Sequence, residues 1–464
     1  MPDREIDVRA ELDEAPLSRF HWFLVALVFG AIFFDGYDIL APSYVIHFVG
    51  KAWGLSPSQQ GFLVSAGLIG VAIGAVSHGV IADRLGRRPT LIGGLLISGV
   101  FSLATALVAN SFGSFVTLRL VTGLGLGVIM PLGTAYINEY LPNASRFRLA
   151  TLAAAGFSLG GVGASVIGIL FSQRHGWQVL FYVGSLAGVV GLLFLVVFPE
   201  STEYLVAHGR AAEAARLLAR LRPEHAERYH DARFAEIRPA GRRSWGDWLI
   251  PLRRPFLVST LALWTSSFLL LFVNYGLSAW TPNLMVARGY GFALGFGFGA
   301  ALHSVPFVGG IVCGYVADRW LGRRGGLALW CALGALATLS MVVTYQPILN
   351  IIATAAAGFF LIGGQFMLNN TCAMTYPVFA RGTGIGYMLG VGRLGAILGP
   401  YIGGALLGAF GTPDVLFIAA ASAGVLTMAC AAFIAGAGTQ RDPAADARST
   451  ADPGPRAVTS QGYE

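Results

Sequence analysis

The sequence predicts an all-α polytopic membrane protein, with twelve transmembrane helices arranged as two six-helix, pseudo-symmetric bundles. Three observations predict it. The 464 residues are 55% hydrophobic and only 12% charged, with a mean hydropathy of +0.65, whereas a soluble domain carries roughly 25% charged residues. The apolar residues are gathered into runs long enough to cross a hydrocarbon core of roughly 30 Å. A charged motif in the first half also returns in the second at a fixed displacement.

Twelve runs are expected as spans, near 22–46, 59–81, 90–109, 112–135, 149–172, 177–198, 255–279, 291–316, 326–345, 348–371, 383–409 and 412–436. They divide the chain into a cytoplasmic N-terminal tail (1–21), an N-terminal bundle (22–199), a polar, Arg-rich cytoplasmic linker (200–254), a C-terminal bundle (255–437) and a disordered cytoplasmic tail (438–464). The first twenty residues hold Asp3, Glu5, Asp7, Glu11, Asp13 and Glu14 against Arg4, Arg9 and Arg19, so no basic leader of a cleaved signal is expected. Cys313, Cys331, Cys372 and Cys430 fall in or near spans without metal-type spacing and read as small apolar residues.

A pI of 9.4 would suit a nucleic-acid partner, but the arginines lie in loops between spans and topology explains them better. With an even number of spans both termini share one side. Placing them in the cytoplasm leaves Lys51, Arg174 and Arg288 in the external loops and gathers nearly all other positive charge inside. Lys51 as the one lysine beside many arginines suits a GC-rich bacterial genome, so a bacterial inner membrane is the expected location, with lipid as surroundings and a monomer as the working state. No nucleophile and base constellation or metal spacing points to an enzyme.

The repeated motif runs Gly79-Val80-Ile81-Ala82-Asp83-Arg84-Leu85-Gly86-Arg87-Arg88 and again Gly314-Tyr315-Val316-Ala317-Asp318-Arg319-Trp320-Leu321-Gly322-Arg323-Arg324, 235 residues on, with one residue inserted before the second glycine. Pro142 and Pro377, Arg146 and Arg381, and Gly160 and Gly395 share that displacement, which indicates duplication. Gly79 and Gly86 permit a tight turn and close backbone approach. Asp83 is suited to a neighbouring helix N-terminus or to Arg84 or Arg87. Contacts of this kind between loops would form when the cytoplasmic ends close, favouring an outward-open state; anchoring of topology by positive charge is the alternative.

Charge inside the spans is scarce: Asp35, Asp38, Arg119, Arg393 and His303. Asp35 and Asp38 are three residues apart and so share a helix face. Even the mildest scale charges about 2.5–3.5 kcal/mol for an acid at the bilayer centre, so such residues mark ion or proton paths. Burial and mutual repulsion favour a protonated form of the pair and a nearby Arg119 favours the ionised one, which makes a coupled proton switch. A structural ion pair is the alternative. Arg393, set among Gly390, Gly392 and Gly395, offers a bidentate fork for a carboxylate. A substrate-binding set is expected from Arg393, Phe34, Tyr37, Phe268, Asn274, Tyr275, Gln365, Asn369 and His303, suited to a flat ring bearing polar groups.

Two six-span halves, each with this charged loop between its second and third spans, resemble the major facilitator superfamily over about residues 20–437. The resemblance implies halves that rock about a midplane site. Within it, Asp35-Gly36-Tyr37-Asp38 resembles the Asp-Gly-x-Asp signature of the aromatic acid:proton symporters. Arg119 in Arg119-Leu120-Val121-Thr122-Gly123, Glu139, Arg381-Gly382-Thr383-Gly384 and Gly392-Arg393-Leu394-Gly395 agree. The resemblance implies proton-coupled uptake through Asp35 and Asp38, and gating through Gly79, Asp83, Arg84, Gly86, Arg87 and Arg88 and their counterparts Gly314, Asp318, Arg319, Arg323 and Arg324. It further implies charge networks through Glu139 and Arg381, protons as the only coupling ion, and no other cofactor. Pro199-Glu200-Ser201-Thr202-Glu203 is similar to a sugar-porter pattern but lacks its Pro-Arg continuation. Proton-driven efflux is a competing expectation, because Gly395-x-x-x-Gly399-Pro400-x-x-Gly403-Gly404 matches an antiporter signature in span eleven instead of span five. A non-transporting receptor for an aromatic acid is a third.

Overall fold

The computed structural model describes residues 5–229, 234, 235 and 248–434, and among them it is built almost wholly of helices. The expected tail 438–464 and most of the linker after residue 229 lie outside the described residues. In chain order the helices are α1 (Val8–Asp13), α2 (Arg19–Ala52), α3 (Pro57–Leu85), α4 (Arg87–Val108), α5 (Phe112–Tyr140), α6 (Asn143–Ala154), α7 (Gly156–His175), α8 (Gln178–Gly184), α9 (Leu186–Val197), α10 (Thr202–Ala207), α11 (Ala211–Leu221) and α12 (Ala226–Tyr229) in the first half and linker. The second half holds α13 (Leu257–Ala287), α14 (Phe292–Ser304), α15 (Pro306–Val316), α16 (Gly322–Val343), α17 (Pro347–Ala357), α18 (Gly363–Thr375), α19 (Val378–Phe410) and α20 (Asp414–Ala431).

Among the described residues, eleven runs are long and apolar enough to cross a membrane, and one of them, Phe292–Val343, is 52 residues long. That is roughly 78 Å of helix, more than twice a bilayer core. The run folds back at Gly322, whose φ of 66° suits a residue without Cβ, and so supplies two crossings. The total is twelve. Several helices overrun the expected spans: α2 has 34 residues, roughly 51 Å, and projects beyond the hydrocarbon at its ends.

Equivalent helices pack alike in the two halves: α2 on α7 corresponds to α13 on α19, α3 on α5 to α15 on α18, and α4 on α9 to α16 on α20. Two glycines show how closely. A Cβ on Gly160 would collide with the Phe33 carbonyl, and one on Gly395 with the Phe268 carbonyl. Both residues of each pair are displaced by 235, so duplication preserved a backbone contact that a side chain would prevent.

The halves meet through α3 with α19, α7 with α14, and α2 with α13. We call the end of the bundle where α2 begins the near end and the opposite end the far end. The bonds joining the halves lie toward the far end: Ser65 Oγ donates to the Ile397 carbonyl (2.6 Å), Ser165 Oγ to the Phe296 carbonyl (2.6 Å) and Asn283 Nδ2 to the Ser43 carbonyl (2.8 Å). Gly61 against Pro400 and Gly404 against Pro57 complete the closure.

The N-terminal tail is docked. Ile6, Val8, Leu12 and Ala15 are buried, and Glu11 accepts from Arg222 Nη1 (2.8 Å) and Tyr229 Oη (2.7 Å) of the linker. Asp13 pairs with Arg146 at the near end of the first half. Burial opposes ionisation of Glu11, but the bonds from Tyr229 and His225 and the charges of Arg222 and Arg228 outweigh it and hold the carboxyl below its ordinary value.

Candidate functional site

The two intramembrane aspartates feel each other's charge but have different hydrogen-bonding surroundings. Asp38 is fully enclosed within the first half. Arg119 Nη1 of α5 donates to Asp38 Oδ1 (3.0 Å), Arg119 Nη2 to the Asp38 carbonyl (2.6 Å), and Ser102 Oγ of α4 lies 2.8 and 2.7 Å from the two carboxylate oxygens. The Arg119 guanidinium also sits 5.3 Å from the centre of the Phe181 ring. Such a pair, with its charge balanced and hydrogen-bonded on several sides, is a structural pin. Ser102 gave no signal in the sequence because a serine in an apolar span reads as small packing.

Asp35 is also buried, but its Oδ1 has no hydrogen-bond partner. Its main counter-charge comes from the other half, where Arg393 of α19 lies within electrostatic reach. From the near ends of their helices, Asp35 is sixteen residues in and Arg393 fifteen, so both lie roughly 22–24 Å deep. Arg393 is set this deep because α19 starts at Val378, five residues before the expected start of its span at 383. The Tyr275 hydroxyl lies within electrostatic reach of both Arg393 and Asp35. Asp35, Tyr275 and Arg393 therefore span the boundary between the halves. The duplication supplies neither charge twice: the positions displaced by 235 are Leu270 for Asp35 and Ser158 for Arg393.

Around this centre the expected pocket residues divide. Phe34 and Phe268 are half-buried, and Phe268 stacks with Phe272 at 6.2 Å. Asn274 is half-buried, and its carbonyl accepts from Ser278 Oγ (2.6 Å). Ser278 Oγ also lies 3.0 Å from His303 Nε2, and which of the two donates depends on the His303 tautomer. His303 is buried behind Asn274, where a Cβ on Gly161 of the other half would press on its ring. Gln365 Nε2 donates to Asn369 Oδ1 (2.9 Å). Tyr37 is fully buried in the same cluster as Ala164, Leu180 and Phe181, with its hydroxyl unpartnered.

The first gating loop is held by acids that its motif does not contain. Gly86, with φ 103°, leaves space for the Glu200 carboxylate, whose Oε1 accepts from the backbone N–H groups of Arg87 and Arg88 (both 3.1 Å) at the start of α4. Arg87 pairs with Glu139 and with Glu203 (3.1 Å), and Ser201 Oγ donates to Glu139 (2.7 Å). Asp83 and Arg84 are exposed, and neither side chain has a hydrogen bond or ion pair among the described residues, in contrast to the expected pairing of Asp83 with Arg84 or Arg87. Gly79 faces open space. Glu200 and Glu203 were visible only as part of Pro199–Glu203; the bonds of Glu200 to the start of α4 and of Glu203 to the Arg87 side chain depend on tertiary approach. In the second loop Gly314 faces open space, and Asp318, Arg319, Arg323 and Arg324 have no hydrogen-bonded or ionic side-chain partner among the described residues. Arg381 is half-buried with Nε unpartnered, apart from the Glu139 network.

Residues 25–378 match the sequence pattern described as Major Facilitator Superfamily. The gallate transporter of Pseudomonas putida is 34% identical over 413 residues, covering 87% of this chain and 90% of the relative. The 4-hydroxybenzoate transporter PcaK of the same organism is 32% identical over 414 residues, with the same coverage. The benzoate transport protein of Acinetobacter baylyi is 31% identical over 410 residues, covering 87% of each chain. Among solved structures, a D-xylose–proton symporter superposes with a TM-score of 0.67 at 19% identity, covering 91% of this chain and 99% of its own. The partially occluded, inward-open xylose transporter XylE of E. coli superposes with a TM-score of 0.66 at 17% identity, covering 88% and 98%.

Proposed function

Since the chain belongs to the major facilitator superfamily, we propose that it is a proton-coupled importer of an aromatic carboxylate of the benzoate or hydroxybenzoate type, working by alternating access in a bacterial inner membrane. The near end, with both termini, faces the cytoplasm on this reading, because the arginine-rich loops lie there. Closure at the far end then corresponds to an inward-facing state. The cargo is suggested by relatives that carry gallate, 4-hydroxybenzoate and benzoate in their names, and half-buried Phe34, Phe268 and Phe272 offer apolar faces for a ring.

One observation carries the coupling: a buried aspartate with an unpartnered oxygen lies within electrostatic reach of an arginine of the other half that also suits a carboxylate. Without substrate, burial opposes the charged form of Asp35 and the charge of Arg393 supports it. A substrate carboxylate takes the guanidinium as a bidentate partner and deprives Asp35 of its counter-charge. An ionised acid left alone there is expensive, so Asp35 takes up a proton. Carboxylate and proton therefore cross together, one of each, with no net charge moved. Tyr275, within electrostatic reach of both Arg393 and Asp35, lines the same boundary. Asp38 is outside this exchange because Arg119 and Ser102 already satisfy it.

The test is uptake of labelled 4-hydroxybenzoate into vesicles containing the purified chain, with and without an inward proton gradient. Accumulation that requires the gradient and is lost in Asp35→Asn supports the reading. Equal accumulation without the gradient refutes it.

A further inference from the structure

The duplicated loop allows an internal comparison. In the first copy, the start of α4 and its arginines form a cradle for anions, and the protein fills it with its own acids: Glu200 on the backbone N–H groups of Arg87 and Arg88, and Glu139 and Glu203 on the Arg87 side chain. The second copy keeps the cationic part as Arg319, Arg323 and Arg324 at the start of α16. Its acids are missing from the equivalent positions, because 235 residues beyond Glu139, Glu200 and Glu203 stand Met374, Ala435 and Gly438. Among the described residues no side chain caps α16 and no acid pairs with these arginines.

A second observation indicates where the missing anion resides. Tyr315 and Trp320, 61% and 68% exposed, meet edge to face at 5.8 Å beside the arginines. The first copy has Val80 and Leu85 there. Exposed Tyr and Trp at the end of a span settle at the level of lipid headgroups, which brings Arg319, Arg323 and Arg324 to the same depth. We propose that the second-half loop binds the phosphate of an anionic phospholipid of the leaflet at the near end, with Arg323, Arg324 and the first N–H groups of α16 as the cradle and the Tyr315–Trp320 pair against the glycerol and upper acyl region. The lipid would fill in the second half the place that Glu139 and Glu200 fill in the first.

The full chain, reconstituted in bilayers of phosphatidylcholine with one-fifth phosphatidylglycerol and then released into detergent, is examined by native mass spectrometry for retained lipid. Retention of phosphatidylglycerol over phosphatidylcholine is expected, weakening about fivefold for each arginine neutralised in Arg323→Gln and Arg324→Gln. Met374→Glu, which restores an acid at the position equivalent to Glu139 and leaves every arginine in place, should also reduce retention. Excess inorganic phosphate should not displace the lipid. Unchanged retention in both Arg323→Gln/Arg324→Gln and Met374→Glu, equal retention of the two lipids by the unmodified chain, or displacement by inorganic phosphate would each overturn the proposal.

Discussion

Asp35→Asn removes a negative charge that has no hydrogen-bonded partner on Oδ1 and whose main counter-charge belongs to the other half. The amide keeps nearly the same shape, and no capping or packing bond of α2 is lost, so the chain should still insert and fold. What disappears is the site that must be protonated when substrate takes Arg393. With one proton per carboxylate, each pH unit of gradient supports about tenfold accumulation, the ratio equivalent to 1.36 kcal/mol. Two units would thus give the unmodified protein about a hundredfold. Asp35→Asn should fall to about onefold under the same gradient, while exchange of labelled for unlabelled substrate continues, because exchange needs no net proton release. The assay is paired uptake and counterflow in vesicles from one preparation. Gradient-driven accumulation retained in Asp35→Asn would refute the reasoning; loss of counterflow as well would mean that Asp35 acts in substrate binding itself.

Asp38→Asn should behave differently: Arg119 would be left buried without its counter-charge, a loss of about 3–5 kcal/mol, read as a lowered melting temperature of the purified protein and reduced yield; unchanged stability would contradict the structural-pin assignment. Arg393→Lys replaces the planar fork by a point charge and should weaken substrate affinity about tenfold, the loss of one charge-assisted bond, measured by equilibrium binding. Gly395→Ala should lower stability and transport together, since its Cβ meets the Phe268 carbonyl; normal thermal stability would show that the α13–α19 contact relaxes freely. For Glu11 the sign follows from its lowered value: the docking it provides is fully present above the ordinary carboxylate range and is lost as pH falls through the lowered value. Limited proteolysis should therefore cut between residues 5 and 15 faster below the ordinary carboxylate range than at neutral pH, and Glu11→Gln should abolish the difference.

Hydropathy made the number of crossings legible, because a span must be apolar along its whole length. The repeat was legible because the loop motif is built of residues rare in such a chain. Asp35, Arg119 and Arg393 stood out for the same reason. Their partners did not. A spacing of three residues places Asp35 and Asp38 on one broad helix face, yet what each carboxylate meets is decided by Ser102 and Arg119 on one side and Arg393 on the other, from helices far away in sequence. Tyr37 shares the same stretch and is turned into the packing of the first half. Glu200 and Glu203 were readable as a pattern, but their action on the start of α4 depends on how the chain returns after α9. The docking of the N-terminal tail was not legible either, because nothing local to Glu11 and Asp13 announces the Arg222, Tyr229 and Arg146 that they meet.

The central claim is that carboxylate and proton cross together. It is tested most directly by recording external pH in a lightly buffered suspension of vesicles containing the purified chain, after adding 4-hydroxybenzoate with no imposed gradient. The account predicts alkalinisation outside, one proton removed for each substrate molecule taken up, and no such signal in Asp35→Asn vesicles. Acidification, or uptake with no pH change, would contradict it.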